Sequence, residues 1–342
     1  MILDGQDAAA IAAAAQALHE GELVGLPTET VYGLGADAAS DSAVAKIFAA
    51  KGRPSDHPLI VHVADAAGVD HFAQDVPTFA QQLMQAFWPG PLTLILPRRP
   101  DVGAAAAGGQ ASIGLRCPAH PVAHALLLAA RALGVHGVAA PSANQFGRVS
   151  PTTAAHVQGE FGEDLLILDG GACEVGIEST IIDCTRGAPV LLRPGAITRE
   201  QVQAACGLKP LSRDEMAALT VSAPRASGTL EAHYAPKAKV RLMGARALQA
   251  ALDLLGKGMD AIDAADKAAP TIAVYSRAIL QTASTKVLRR RMPDDAAATA
   301  QQLFAVLREF DKAGVKLIWI ETPPDTPEWE GVRDRLQRAA AS

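Results

Sequence analysis

The sequence has few cysteines, few aromatic residues and no excess of positive charge. Four cysteines occur among 342 residues, none in a CxxC pair, and only Cys117 has a histidine, His120, at a spacing typical of metal ligands. This pattern argues against a disulfide framework and a zinc site, and it favours reduced thiols in a reducing compartment. The formal net charge of -5 argues against nonspecific binding to polyanions. Any recognition of phosphate must therefore be local.

Long hydrophobic runs are also absent. The most apolar stretch, 8–17, is shorter than the roughly 20 residues that span a bilayer. The first lysine or arginine is Lys46, so the N-terminus lacks the charged region of a secretory signal peptide. We therefore expect a cytoplasmic protein that does not contact a membrane.

Several common catalytic motifs are missing. The sequence contains no GxxxxGK[ST] phosphate loop, no GxGxxG after a strand, no HExxH and no GxSxG. These absences argue against P-loop nucleotide hydrolases, dinucleotide-binding enzymes, zinc proteases and serine hydrolases. The composition, 49% hydrophobic and 20% charged residues, is nevertheless that of a globular protein, and the length suggests about two domains.

The most informative stretch is a corner that carries two cations. Apolar residues at helical spacing predict a helix over 40–50, and Gly52 is typical of a helix end. A β-rich run over 59–63 follows after two prolines. Lys51 and Arg53 therefore lie where a helix turns into a strand, where side chains can point into a cleft.

The remaining pattern divides the chain into three segments. We predict an α/β domain over 1–206, a linker over 207–237 and a small domain over 238–342. The linker is rich in proline and glycine, and it includes the distinctive segment 227–236. In the last segment strands alternate with helices, which predicts a parallel sheet with right-handed crossovers.

Cations and hydroxyl-bearing side chains recur near the predicted ends of strands in the first domain. Arginine binds phosphate oxygens through a planar fork, and lysine acts as a compact charge. Four cations with interleaved hydroxyls therefore suit a polyphosphate and could stabilise a departing pyrophosphate. For any single arginine a surface or structural ion pair is the better explanation, but four cations at strand ends in one domain favour a shared site. The candidates are Thr30, Lys51, Arg53, His62, Ser112, Arg116, Ser142, Asn144, Ser150, Ser179 and Arg193.

A series of short motifs in a fixed order resembles one known family. The motifs are Pro27–Gly35, Lys51–Pro54, Ser112–Arg116, Pro141–Asn144, Glu178–Ile181, Leu192–Gly195 and His233–Pro236. Together they resemble the threonylcarbamoyl-AMP synthase family in its long, two-domain form. The resemblance implies a YrdC-like, twisted, mixed open sheet with flanking helices and a central cleft. It also implies a smaller, Rossmann-like parallel α/β domain at the C-terminus.

The resemblance implies an activity as well. Members of the family convert L-threonine, bicarbonate or CO2, and ATP to L-threonylcarbamoyl-AMP and pyrophosphate, the first step of N6-threonylcarbamoyladenosine formation in tRNAs that read ANN codons. Such an enzyme is a nucleotidyltransferase, and Mg²⁺ enters with ATP as substrate, without a metal held by the protein. Its catalytic residues here would be Lys51 and Arg53.

Binding residues carry over position by position. Those implied for L-threonine are Thr30, His62, Arg116, Ala140 and Ser179, with Arg116 on the carboxylate and Ala140 acting through its backbone. Those implied for ATP are Lys51, Arg53, His57, Ser112, Ser142, Asn144, Ser150, Arg193 and Tyr234. One departure is His57, which stands where many relatives have asparagine and which could titrate near neutral pH.

The sequence leaves the role of the C-terminal half open. The segment around His233 and Tyr234 could close over the site as a lid or could be an ordered strap between domains. The arginines at 289–291 and those at 333, 335 and 338 could contact tRNA or a downstream threonylcarbamoyl-transfer complex, or they could lie on solvated helix faces.

Two other functional classes remain possible from the sequence. The first is an RNA-binding module without adenylating activity, although the aromatic RNP signature is missing and aromatic residues make up only 4% of the chain. The second is a carbamoyl-adenylate-forming domain with another acceptor. Such domains occur in chains with zinc-finger cysteines, which this sequence lacks.

Overall fold

A computed structural model describes residues 1–212, 215, 224–229, 233–262, 270–282 and 284–341. The chain forms two compact units. Unit 1 comprises Met1–Phe146 and Ser150–Thr229, and unit 2 comprises Gly147–Val149 and Leu230–Ser342. Of the predicted linker, residues 213–214, 216–223 and 230–232 lie outside the described residues.

Unit 1 contains a mixed sheet of ten strands in the order β1-β8-β2-β3-β7-β4-β6-β5-β9-β10. The strands are β1 (Ile2–Asp4), β2 (Val24–Leu26), β3 (Gly33–Asp37), β4 (Ile60–His62), β5 (Leu92–Pro97), β6 (Ser112–Arg116), β7 (Val138–Ala139), β8 (Leu166–Asp169), β9 (Thr180–Asp183) and β10 (Val190–Arg193). The sheet combines parallel pairs, such as β4 with β6, with antiparallel pairs, such as β5 with β6. The predicted mixed sheet is confirmed.

Helices flank this sheet, as predicted. They are α1 (Ala8–His19), α2 (Asp41–Lys51), α3 (Ala66–Phe72), α4 (Thr78–Phe87), α5 (Pro121–Ala132), α6 (Ala154–Phe161) and α7 (Arg199–Cys206). Helix α2 buries Val44 and Ile47 in a core shared with Leu34 of β3 and Val61 of β4. Because its buried face is fixed against the sheet, the C-terminal end of α2 has a defined position beside the strand ends.

Strand β3 begins within the motif Pro27–Gly35, at Gly33. The two glycines and the hydroxyl-bearing residues of this motif are typical of a polar turn and give no sign of a strand. A Cβ atom on Gly35 would lie 2.8 Å from side-chain atoms of both Leu26 and Val138. Glycine is therefore required for β3 to fit between β2 and β7, although glycine normally disfavours strands.

Unit 2 contains a parallel sheet of four strands in the order β11-β14-β12-β13. The strands are β11 (Lys239–Met243), β12 (Ile272–Ser276), β13 (Val287–Arg291) and β14 (Leu317–Glu321). The helices are α8 (Ala245–Ile262), α9 (Ala296–Lys312) and α10 (Glu330–Ala340), the last preceded by a 3-10 turn over Pro327–Trp329. The predicted parallel α/β arrangement is confirmed.

The arginine clusters of unit 2 differ from the prediction of solvated helix faces. The arginines at 289–291 lie on the edge strand β13, where Arg290 donates to Glu309 (Nε–Oε2 2.9 Å). On α10, Arg335 is only 1% exposed, and its guanidinium carbon lies 5.3 Å from the centroid of the Tyr234 ring. Arg335 is thus a packed structural residue, and the helix prediction is wrong for the first cluster.

Two findings concern the features that the sequence lacks. Among the described residues, no helix is both long enough and apolar enough to cross a bilayer. All four cysteines are free thiols, as predicted, and Cys117, Cys173 and Cys184 are buried.

Candidate active site

Lys51 is the last residue of α2 and is almost completely buried. Gly52 ends the helix in the left-handed region (φ 60°), as predicted, and turns the chain away. Lys51 is 2% exposed, and its Nζ atom donates to the backbone oxygen of Ser142 (2.6 Å) and to that of Asn144. Burial, assisted by the nearby Arg53 charge, lowers the pKa of Lys51 to about 7. Two predicted segments, Lys51–Pro54 and Pro141–Asn144, therefore meet at this amine.

Arg53 and His57 lie beside the same aromatic side chain. The Arg53 guanidinium carbon is 5.9 Å from the Phe146 ring centroid, and the His57 ring centroid is 5.6 Å from it. Burial, with a contribution from the Arg53 charge, lowers the pKa of His57. The Phe146 amide donates to the Lys51 carbonyl (3.0 Å), which fixes this ring next to the cations. Sequence reasoning missed Phe146, although it follows the Pro141–Asn144 motif by only two residues.

Arg53 and Arg193 converge on Ser227. Arg53 Nη2 donates to the Ser227 hydroxyl (3.3 Å), and Arg193 Nη1 donates to the Ser227 carbonyl (3.0 Å). Arg193 also donates to both the carbonyl (3.0 Å) and the hydroxyl (3.1 Å) of Ser179, whose hydroxyl lies 2.7 Å from that of Thr93. The two guanidinium groups are therefore neighbours, as a polyphosphate site requires. Sequence reasoning assigned no role to Thr93 or Ser227.

Ser112 joins this group through a small cavity. The cavity has a volume of about 20 Å³, and Ser112, Thr93, Arg225 and Ser227 contribute to its lining. The Arg225 backbone is tied to Gln110 by reciprocal hydrogen bonds of 2.9 and 3.3 Å. Next to Arg225, Ala226 packs against an apolar cluster of the sheet that includes Ile181 and Leu192.

The residues predicted for threonine form a second, adjacent cluster. His62 and Arg116 are direct partners in the parallel register of β4 and β6. Arg116 Nη1 donates to the Thr30 hydroxyl (2.8 Å), and Arg116 Nη2 donates to Glu29 (2.6 Å). Ser179 lies at the end of the neighbouring strand. The amide of Thr180, the next residue, donates to the carbonyl of Pro91 (3.0 Å). Pro91 follows Gly90, whose carbonyl accepts a hydrogen bond from Arg116.

His62 is buried as a neutral imidazole. Burial, assisted by the Arg116 charge, lowers its pKa to about 3. Its Nδ1 atom is buried and has no hydrogen-bond partner in the part of the chain that the structure describes. Such an atom costs free energy unless a ligand satisfies it, so His62 offers one polar contact to a small molecule.

Ala140 and Ser150 are buried at the edges of these clusters. The Ala140 amide donates to Ile60 of β4 (3.0 Å), and the Ser150 hydroxyl donates to the Glu178 carboxylate. Backbone pairing therefore places Ala140 beside the strand that carries His62, and Ser150 contacts the residue next to Ser179.

Tyr234 lies in unit 2, whereas all other predicted site residues lie in unit 1. It is fully buried, adopts a positive φ of 61°, and stacks on Phe304 with ring centroids 5.4 Å apart. Its surroundings within unit 2 are thus those of a packed core residue, and a role at ATP stays a prediction.

Comparison with known proteins covers nearly the whole chain. Residues 16–195 match the family model described as Telomere recombination, and residues 197–341 match the model described as Threonylcarbamoyl-AMP synthase, C-terminal domain. The threonylcarbamoyl-AMP synthase of Bacillus subtilis (strain 168) is 40% identical over 337 residues, which are 96% of this chain and 92% of that protein. The enzyme of the same name from Pyrococcus abyssi is 36% identical over 329 residues, 96% of this chain and 93% of that protein.

Solved structures agree with this result. Sua5 of P. abyssi in complex with L-threonine has a TM-score of 0.84 and 35% identity, covering 96% of this chain and 94% of that one. A variant of the same protein, with one histidine and one tyrosine replaced by alanine, has a TM-score of 0.86 and 33% identity and covers 99% of this chain and 96% of that one. Sequence, domain content and fold all lead to one assignment: this chain belongs to the threonylcarbamoyl-AMP synthase family.

Proposed function

We propose that this chain is an L-threonylcarbamoyladenylate synthase, a nucleotidyltransferase that converts L-threonine, bicarbonate or CO2, and ATP to L-threonylcarbamoyl-AMP and pyrophosphate. The observation that carries the proposal is the convergence of Lys51, Arg53 and Arg193 in unit 1, next to the cluster of Arg116 and His62. A triphosphate and an amino acid need these two adjacent sets of groups.

The ATP half of the site consists of cations with restricted freedom. Lys51 is held by two carbonyls, while Arg53 and Arg193 are joined through Ser227. Groups that are already oriented lose little conformational entropy when the phosphates arrive. The hydroxyls of Ser112, Ser142 and Ser150, the amide of Asn144 and the His57 ring complete the proposed ATP contacts in unit 1, and Tyr234 is proposed from unit 2.

The threonine half offers groups for each polar part of the amino acid. The Arg116 guanidinium matches the carboxylate, as the planar fork of arginine commonly does. Thr30, Ser179, His62 and the backbone at Ala140 are proposed for the hydroxyl and amine. L-threonine bound to the P. abyssi Sua5 structure supports this substrate for the present chain.

The chemistry requires mainly positioning and charge stabilisation. In the proposed sequence the threonine amine attacks CO2 and loses a proton, giving a carbamate. A carbamate oxygen then attacks the α-phosphorus of ATP while the bond to the pyrophosphate oxygen breaks. Lys51 and Arg53 stabilise the negative charge that develops on the departing pyrophosphate. The remaining residues hold the two reactants in line.

Magnesium fits the site as the counterion that ATP brings. No group of three or more His, Cys, Asp or Glu side chains is placed to hold a metal ion within the described ranges. The side chains proposed for the phosphates are cations, whereas Mg²⁺ prefers oxygen ligands. When bound on the phosphates, the ion neutralises part of their charge.

The product has to be consumed by a second reaction. We propose that a threonylcarbamoyl-transfer complex in the cytoplasm takes up the adenylate and transfers its acyl group to tRNA. Whether this chain itself contacts tRNA is a separate part of the proposal, and binding that weakens steeply with salt would support it.

Pyrophosphate release tests the proposal directly. The purified protein is incubated with MgATP and bicarbonate and with single amino acids in parallel reactions. Release that requires threonine and bicarbonate supports the proposal. Release without threonine but with another carbamoyl acceptor would favour a carbamoyl-adenylate-forming domain that uses that acceptor. No release with any acceptor, together with salt-dependent RNA binding, would favour an RNA-binding module.

A further inference from the structure

Glu29 is a buried carboxylate in the connection between β2 and β3. It is 6% exposed and accepts hydrogen bonds at both oxygens, from Arg116 Nη2 at Oε1 (2.6 Å) and from the Ala119 amide at Oε2 (3.1 Å). Its own carbonyl accepts from the Val175 amide (2.7 Å). Two segments that are distant in sequence, 116–119 and the one that contains Val175, are thus tied to this one residue.

The guanidinium of Arg116 is anchored on three sides. An arginine side chain has five N–H donors, one on Nε and two on each terminal nitrogen. Nε donates to the Gly90 carbonyl (3.2 Å), Nη1 donates to Thr30 (2.8 Å) and Nη2 donates to Glu29 (2.6 Å). With respect to the described residues, one donor therefore remains on each terminal nitrogen. A pair of this kind can bind the two oxygens of a carboxylate.

We propose that Glu29 is a positioning residue for the amino-acid substrate, because it fixes Arg116 so that the remaining N–H donors face the carboxylate of L-threonine. The proposal rests on the function proposed above, and it gives a role to a residue of the motif Pro27–Gly35 that the sequence alone left without one. Glu29 acts through Arg116 and does not itself take part in the reaction.

Charge compensation gives a second reason for a carboxylate at this position. Arg116 is 3% exposed, and a cation at that depth is unfavourable without an anionic partner. Glu29 allows the guanidinium to stay in place before the substrate binds.

Glutamine is the most informative replacement. In Glu29→Gln the side-chain amide can accept from Arg116 only if its NH2 group faces the Ala119 amide, which is also a donor. One of the two hydrogen bonds must therefore be lost, and the guanidinium loses its ionic partner. We expect the KM for threonine and the Kd for threonine measured by calorimetry to rise at least about tenfold, with the KM for ATP changed less than about twofold.

A matched variant separates positioning from stability. Asp183→Asn removes another buried carboxylate of unit 1, which pairs with Arg186 (2.6 Å) at the opposite end of β9 from Ser179. We expect this variant to lower the melting temperature and to leave both KM values unchanged. A double variant with Arg116→Lys provides a further test. Because Glu29 acts through Arg116, the effects of Glu29→Gln and Arg116→Lys on threonine affinity should be less than additive.

The outcomes distinguish this inference from the proposed function. Threonine-dependent pyrophosphate release by the unaltered protein establishes the function first. If Glu29→Gln then keeps the threonine KM of the unaltered protein, or if it changes only the folded fraction, the positioning role is refuted and the function stands. Should Glu29→Gln fail to fold, Glu29→Asp keeps the charge but is too short to reach both partners. A folded Glu29→Asp protein with unchanged threonine affinity would equally overturn the proposal.

Discussion

Binding of ATP should be accompanied by proton uptake at Lys51. In the free protein burial lowers the pKa of this amine to about 7, so it is largely neutral at pH 8. A neutral amine has two N–H donors, and both are used by the carbonyls of Ser142 and Asn144. The added proton supplies a third N–H for a phosphate oxygen. A triphosphate should therefore raise the pKa and draw one proton onto this residue.

The size of the effect follows from the lowered pKa. If the bound phosphates return the pKa of Lys51 to its ordinary range near 10.4, uptake is about 0.5 proton per ATP at pH 7 and about 0.9 at pH 8. Near pH 6 the amine is already protonated, so uptake should fall to about 0.1. The sign is fixed, since a cation-forming group whose pKa rises on binding takes up protons.

Calorimetry in buffers of different ionisation enthalpy measures this quantity. Titrations with MgATP at pH 8 avoid the ionisation of the terminal phosphate, whose pKa is about 6. Lys51→Met should abolish the uptake. Lys46→Met should retain it, because Lys46 lies on the same helix but is exposed and pairs with Glu22 (2.7 Å). A His57→Asn variant shows how much of the proton uptake comes from the imidazole ring of His57. Arg53 and Glu160 carry the other charges that act on the Lys51 amine. Binding heats that do not depend on the buffer, or uptake that persists in Lys51→Met, would refute the reasoning.

Two further substitutions test the surroundings of the site. Tyr234→Ala removes a fully buried ring that stacks on Phe304. We expect the free energy of unfolding to fall by about 3–5 kcal/mol, which calorimetry would detect as a lower Tm. If folded Tyr234→Ala keeps full ATP affinity and activity, its proposed role at ATP is wrong. Gly195→Ala places a Cβ atom 2.5 Å from the Thr180 amide nitrogen, so the adjacent strand end must shift and threonine affinity should fall. Gly159→Ala, where a Cβ atom meets nothing within 4 Å, is the matched control and should behave as the unaltered protein; equal effects of the two glycine substitutions would contradict this explanation.

Local signals in the sequence predicted the parts of the fold that depend on neighbouring residues. The helix before Lys51 and its end at Gly52 follow from apolar spacing and from the backbone freedom of glycine. Strand β3 was missed because its glycines lower strand propensity. The need for glycine at position 35 becomes clear only from the close approach of the Leu26 and Val138 side chains. Strand β13 was missed because three consecutive arginines are compatible with a solvated helix face as well as with an edge strand. The sequence alone therefore does not distinguish the two.

Long-range contacts explain what the sequence could not show about the site. Glu29 stands between two threonines, which gives no sign that Arg116, 87 residues later, is its partner. Ser227 lies in a segment without periodicity, yet it joins Arg53 and Arg193. Both assignments require the sheet order, since sequence spacing alone does not place these side chains side by side. Residue type and ordered motifs singled out the cations as candidates, and their role in binding stays a prediction.

The most direct test of the central claim is the fate of the bicarbonate carbon. Protein incubated with ¹³C-bicarbonate, MgATP and L-threonine can be quenched and its adenylates analysed by mass spectrometry. The proposed reaction yields threonylcarbamoyl-AMP that carries the label, formed in step with pyrophosphate. An unlabelled threonyl adenylate, or AMP formed without any carbamoylated intermediate, would contradict it.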